Sequence, residues 1–79
     1  MQTTSTLQIE MYRVKSSNLK EIGYDKRSRT LRIRFHDRNL LYDFENVPAT
    51  MYAMLMLSKS KGSFFAEEIR PSFKAKRVE

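Results

Sequence analysis

The sequence predicts a small α+β domain: an antiparallel meander of three to four strands, with one main helix packed across it and a short C-terminal helix. Three observations carry this. Residues 30–35 alternate with period two, Leu31, Ile33 and Phe35 on one side and Thr30, Arg32 and Arg34 on the other. Similar runs flank this segment, separated by short polar turns. After Pro48 the period changes, and apolar residues recur at helical spacing. The chain has 79 residues, room for one core. An apolar sheet face and an apolar helix stripe can then cover each other in two layers.

Taken in order, residues 1–9 are a polar Thr/Ser-rich extension expected to fray. A single domain follows over residues 10–74, and residues 75–79 read as a basic tail. Residues 10–15 are a candidate edge strand with Met11 and Val14 partly buried. Ser16-Ser17-Asn18 is a turn signal, because these side chains hydrogen-bond nearby backbone. Residues 19–25 form the next strand, with Ile22 and Tyr24 on one face. Lys26-Arg27-Ser28-Arg29 is a basic turn before the strand at 30–35. After a turn at 36–39, a third strand covers 40–47, with Leu40, Tyr42 and Phe44 facing the core.

Pro48 suits the first turn of a helix, where its missing N–H costs nothing. The helix is expected over 49–60, with Gly62 terminating it. Val47, Met51, Met54, Leu55 and Ser58 share one side, widened by Tyr52. A second short helix fits 64–69, with Phe65 and Ile69 one turn apart. Pro71 should end it, and Phe73 is the last core anchor.

Composition narrows the function. There is no cysteine, which removes disulfides and thiolate metal sites. No segment has the pattern of a signal peptide, and the longest apolar run, 51–57, is far too short to span a bilayer. The expectation is a soluble cytoplasmic protein. Lysine and arginine number 15 against 9 acidic residues, a net charge of +6, which favours polyanions.

Pairing the strands decides which basic residues are spare. With Asp25 opposite Thr30, Gly23 lies opposite Arg32 and Glu21 opposite Arg34. The next hairpin puts Asp43 opposite Arg32. Arg32 and Arg34 are then cross-strand partners of carboxylates, not phosphate contacts. The surplus lies in Lys26, Arg27 and Arg29 of one turn, in Lys59 and Lys61 flanking the end of the main helix, and in Arg70, Lys74, Lys76 and Arg77. Lys59 and Lys61 also complement the helix dipole.

No catalytic constellation emerges. His36 is the only histidine and sits in a turn. Ser16 and Ser17 have no nearby base. The aspartates lack metal-loop spacing, and Gly23 and Gly62 are isolated. Neither a cofactor nor a metal is expected. The run at 51–57 is apolar nearly all round its helix. Met56 and Leu57 point away from the main stripe, where the C-terminal segment is expected to cover them; if left open they form, with Phe64 beside buried Phe65, a candidate protein-interaction or self-association patch.

Several pieces in order are Ser16-Ser17-Asn18-Leu19, Ile22-Gly23-Tyr24-Asp25, Leu31-x-Ile33-x-Phe35, Tyr42-x-Phe44, Val47-Pro48, Tyr52, Ser60-x-Gly62, Phe64-Phe65 and Ile69-Arg70. Together they resemble the KTSC domain, a small family named for its place at the C-terminus of some lysyl-tRNA synthetases and also found as stand-alone bacterial and phage proteins. The resemblance departs at Asn39, where the family usually has glycine, and at Phe44 and Phe73, where tyrosine is commoner. Asparagine tolerates the same left-handed backbone as glycine. The resemblance implies no enzymatic activity and no transferable binding residue. Attachment to a tRNA-charging enzyme implies RNA or other nucleic-acid contact.

The sequence-based expectation is a non-catalytic accessory module that binds RNA or DNA mainly through phosphates, using Lys26, Arg27, Arg29, Lys59, Lys61, Arg70, Lys74 and Lys76. The alternative is a protein-interaction module, such as a phage-type inhibitor or adaptor, using Met56, Leu57 and Phe64.

Overall fold

Period-two alternation in residues 19–44 becomes the centre of a five-stranded antiparallel sheet in the computed structural model, which describes residues 8–79. The strands are β1 (Tyr12–Arg13), β2 (Leu19–Asp25), β3 (Thr30–Phe35), β4 (Leu41–Phe44) and β5 (Ala75–Arg77), in spatial order β1-β2-β3-β4-β5. Two helices complete the α+β fold: α1 (Ala49–Leu57) and α2 (Lys61–Phe64), the latter running on into a wide π turn (Phe65–Ile69). No helix among the described residues is long and apolar enough to cross a membrane.

The expected register is the observed one. Gly23 pairs with Arg32, Glu21 with Arg34, Asp25 with Thr30 and Arg32 with Asp43. One irregularity explains how β2 serves the core. Leu19 and Ile22 are three residues apart, so a regular strand would send them to opposite faces. Between Leu19 and Glu21 the register shifts by a bulge. The extra residue restores the phase, and both side chains are fully buried.

The core lies between one sheet face and the helices: Ile22, Leu31, Ile33 and Phe44 from strands, with Val47, Leu55, Phe65 and Ile69 from beyond them. Tyr24 joins the layers. Its ring stacks on Tyr52 with centroids 4.7 Å apart, and its hydroxyl donates to the Val47 carbonyl at the entry to α1. The π turn closes with the Arg70 N–H donating to the Phe65 carbonyl at 2.9 Å, and both Phe65 and Ile69 are buried.

Five sequence expectations change. First, residues 75–77 are not a free tail but the edge strand β5. The Glu45 N–H donates to the Lys74 carbonyl and the Val78 N–H to the Leu41 carbonyl, both at 2.8 Å. The open edge of β4 offers backbone donors and acceptors to any extended segment, whatever its side chains. Second, α1 stops at Leu57 rather than Ser60. Ser58 is extended (ψ 141°), and its hydroxyl exchanges hydrogen bonds with the backbone of Ser60. Such bonds compete with helix continuation. Gly62 therefore terminates nothing; it sits in the first turn of α2. Third, Met54 leaves the buried stripe. Leu55 is the buried centre, Met51, Tyr52 and Met56 pack beside it, and Met54 is 54% exposed. An apolar-all-round helix carries no signal for its own rotation.

Fourth, β4 begins at Leu41, and it is Leu41 that is buried, on the face it shares with Asp43, while Leu40 is only half-buried. The second sheet face is thus covered rather than solvated: Thr30, Arg32 and Asp43 are buried there. Fifth, the fraying expected of residues 1–9 fails for its last residue, since Ile9, with Glu10 and Met11, lies against Gly23 on this face. Residues 1–7 lie outside the described residues.

The basic turn 26–29 is shaped from within. The Asp25 carboxylate accepts from the Ser28 hydroxyl and, at 3.1 Å, from the Ser28 N–H. Arg29 takes the left-handed conformation (φ 59°), as does Asn39 (φ 58°) where the resemblance would place a glycine. The two Ser28 bonds, side chain first, hold the Asp25 carboxyl below its ordinary range against a small desolvation effect. The folded-state pKa is below the unfolded one. Asp25 therefore stabilises the fold above the unfolded carboxyl pKa, and this is lost as pH falls through the folded value. In Ser28→Ala the Asp25 midpoint, followed by carboxyl NMR, should rise toward the ordinary aspartate range.

Candidate functional site

Two segments distant in sequence meet at the end of the sheet where β2 begins and β3 finishes. The first is the Ser16-Ser17-Asn18 turn. The Ser16 hydroxyl accepts from the backbone N–H of Asn18 (3.2 Å) and of Leu19 (3.1 Å), as the turn signal implies. His36 anchors the same turn. Its N–H donates to the Asn18 carbonyl at 3.0 Å, and its ring Nε2 lies 3.0 Å from the Ser16 carbonyl. A carbonyl only accepts, so Nε2 carries the proton.

The second segment is the start of α2. A Cβ on Gly62 would lie 3.3 Å from Ser16 Oγ and 3.7 Å from Asn18 Cβ. The glycine allows the helix start to sit directly against the turn. Between them runs a cleft of about 350 Å³, lined by Lys15, Ser16, Ser17 and Asn18 on one side and by Lys59, Ser60, Lys61, Gly62, Ser63 and Ala66 on the other. Three lysines and four serines thus line one space, with no acidic residue among them. Lys61 Nζ donates to the Ser58 carbonyl at 3.0 Å, which fits the expected helix-end role.

Some of the charges elsewhere are paired. Arg32 is paired with Asp43, Arg34 with Glu79 (2.9 Å) and more loosely with Glu21 (3.9 Å), Arg38 with Asp37, and Lys76 with Glu45 (3.8 Å). Lys15 and Lys59 have no ion pair among the described residues, and neither does Lys61.

Beside the cleft lies a second cavity of about 360 Å³ between the sheet and the π turn. Its walls are Phe35, Leu40, Tyr42, Phe44, Phe65 and Ala75, and Asn18, Asp37 and Arg70 bring polar groups to it.

The eight basic residues expected to contact phosphate do not share one face. Lys59 and Lys61 line the cleft, and Arg70 lines the neighbouring cavity. Lys26, Arg27 and Arg29 lie at the other end of the sheet, across the six-residue β3, about 17 Å away at the strand rise. Lys74 and Lys76 flank the outer edge with β5. The sequence reads Lys15 as the end of an edge strand and Ser16, Ser17 and Asn18 as a turn, so none of them is marked there as a binding group. Of Met56, Leu57 and Phe64, only Leu57 stands out, at 84% exposed; the other two pack against the core. No group of three or more His, Asp or Glu that could hold a metal ion occurs among the described residues.

The fold and cleft define a small α+β domain with a meander sheet and a basic notch at one end. Residues 15–73 match the family model of the KTSC domain, and the chain belongs to that family. It is also similar to a KTSC domain protein of Yersinia pestis known from a crystal structure. That match has 30% identity and a TM-score of 0.86, covering 91% of this chain and 100% of the other. No curated protein gives a match.

Proposed function

We propose that the protein is a non-catalytic module that binds nucleic acid through its phosphates, with Lys15, Lys59 and Lys61 as the primary contacts. The convergence of these three lysines on one carboxylate-free cleft carries the reading. Like charges gathered in one space repel each other unless an anion joins them, and hydroxyls and ammonium groups are the donors that bind phosphate oxygens. Lys26, Arg27 and Arg29 act at the far end as a second, longer-range contribution to the field.

Binding should be steeply salt-dependent. The reading calls for titrating a labelled oligonucleotide against the protein across a salt series. Changing Lys15, Lys59 and Lys61 together to glutamine should flatten the slope of log K against log salt by about 2–3 units, roughly one for each phosphate that is no longer neutralised. An unchanged slope, or no affinity for any nucleic acid at low salt, would refute it.

A further inference from the structure

We infer that the ligand is a single strand, held by one unstacked base in the aromatic cavity as well as by phosphate in the lysine cleft. This rests on the phosphate reading above. The two spaces are neighbours: Asn18 lines both. A phosphate seated near Lys59 and Lys61 therefore has a hydrophobic cavity within reach of the attached nucleoside. A duplex keeps its bases stacked and its phosphates outside. Only a single strand, or an extruded nucleotide, can fill both spaces together.

The cavity has the attributes of a base site. At about 360 Å³ it falls within the range of small-molecule sites, roughly 300–1,000 Å³. Phe44 and Phe65 form a buried floor, their rings edge-to-face at 5.3 Å. Phe35 and Tyr42 are only half-buried and leave aromatic surface available for stacking, which every base can use. Three of the four polar groups at the cavity are uncommitted, and the fourth, Asp37, is paired with Arg38. The Asn18 amide, the Tyr42 hydroxyl and the Arg70 guanidinium have no hydrogen bond or ion pair with a described residue, and Asp37 adds an acceptor. Amide, hydroxyl, guanidinium and carboxylate together supply both donors and acceptors, as the edge of a base requires.

The test compares three oligomers of equal length by fluorescence anisotropy at one low salt concentration: a mixed-sequence single strand, its duplex, and a strand carrying abasic sites. Each is run as DNA, and the single strand also as RNA. The base-bearing single strand, in either sugar form, should bind about tenfold tighter than the abasic strand. Tyr42→Leu should close that gap while leaving abasic binding unchanged. Should Tyr42→Leu fail to fold, Asn18→Ala and the charge-preserving Arg70→Lys serve instead; both side chains are exposed, and each should narrow the gap. Equal binding of base-bearing and abasic strands, or of single strand and duplex, would overturn the base site and leave the phosphate reading standing. Absence of binding to every oligomer would remove both.

Discussion

Asp43→Ala is expected to cost about 3–5 kcal/mol of folding stability, measured by urea denaturation. Arg32 meets Asp43 across the β3–β4 ladder in two parallel bonds, Nε to Oδ1 at 2.7 Å and Nη2 to Oδ2 at 2.9 Å. Their side chains are only 8% and 7% exposed. Truncation takes the bidentate carboxylate from a guanidinium in a site that solvent barely reaches, and breaking a buried pair costs far more than breaking a surface pair. Small domains are held by only about 5–15 kcal/mol, so the variant should be near the edge of folding. The hydrogen bond from Arg32 to Asp43 is also the main cause that raises the Arg32 pKa, opposed by desolvation, so the arginine stays charged and cannot escape by deprotonation. The double variant Arg32→Met with Asp43→Leu should recover much of the loss, because an apolar pair of similar volume removes the buried charge together with its carboxylate. A loss below about 1 kcal/mol for Asp43→Ala would put the pair with ordinary surface bridges.

Gly23→Ala is the second large effect. The backbone at Gly23 has no positive φ, so conformational freedom is not the reason for the glycine. Close approach is. An added Cβ would stand 2.5 Å from the Glu10 carbonyl oxygen and 2.7 Å from both Ile9 Cγ2 and Met11 Sδ. The flexible Met11 tip can move aside, but the Glu10 backbone cannot without lifting the segment that leads into β1. The expected cost is about 1–3 kcal/mol, the scale of overpacking, together with loss of amide-exchange protection in β1, which pairs with β2 at Ile22 and Glu21. The cause can be isolated in a chain lacking residues 1–11, where the same substitution should cost almost nothing. A full penalty in that shortened chain would place the clash elsewhere.

The lysine cleft was only half legible. Lys59, Lys61 and Arg70 stood out as surplus charge once Arg32 and Arg34 were assigned to carboxylates across the sheet. Lys15 and its neighbours did not, because Ser16-Ser17-Asn18 makes sense as a turn without any ligand. The turn and the α2 start are far apart in the chain, and nothing local to either says that they touch. Gly62 had the sequence look of a helix terminator, yet its use is a tertiary one, to let the start of α2 sit against the Ser16 and Asn18 side chains.

By itself, the sequence determined the family, the three central strands, their register and the Arg32–Asp43 pair. These depend on alternation and turn length, which act over a few residues. Tertiary structure alone decided the rest. It recruited residues 75–77 as β5, because an open backbone edge is indifferent to side-chain pattern. It set the rotation of α1, whose apolar residues run all the way round. It laid Ile9–Met11 across Gly23, and it brought Lys15, Lys59 and Lys61 together beside an aromatic cavity. Each of these joins segments far apart in the chain, and its energy exists only once the sheet has brought them within reach.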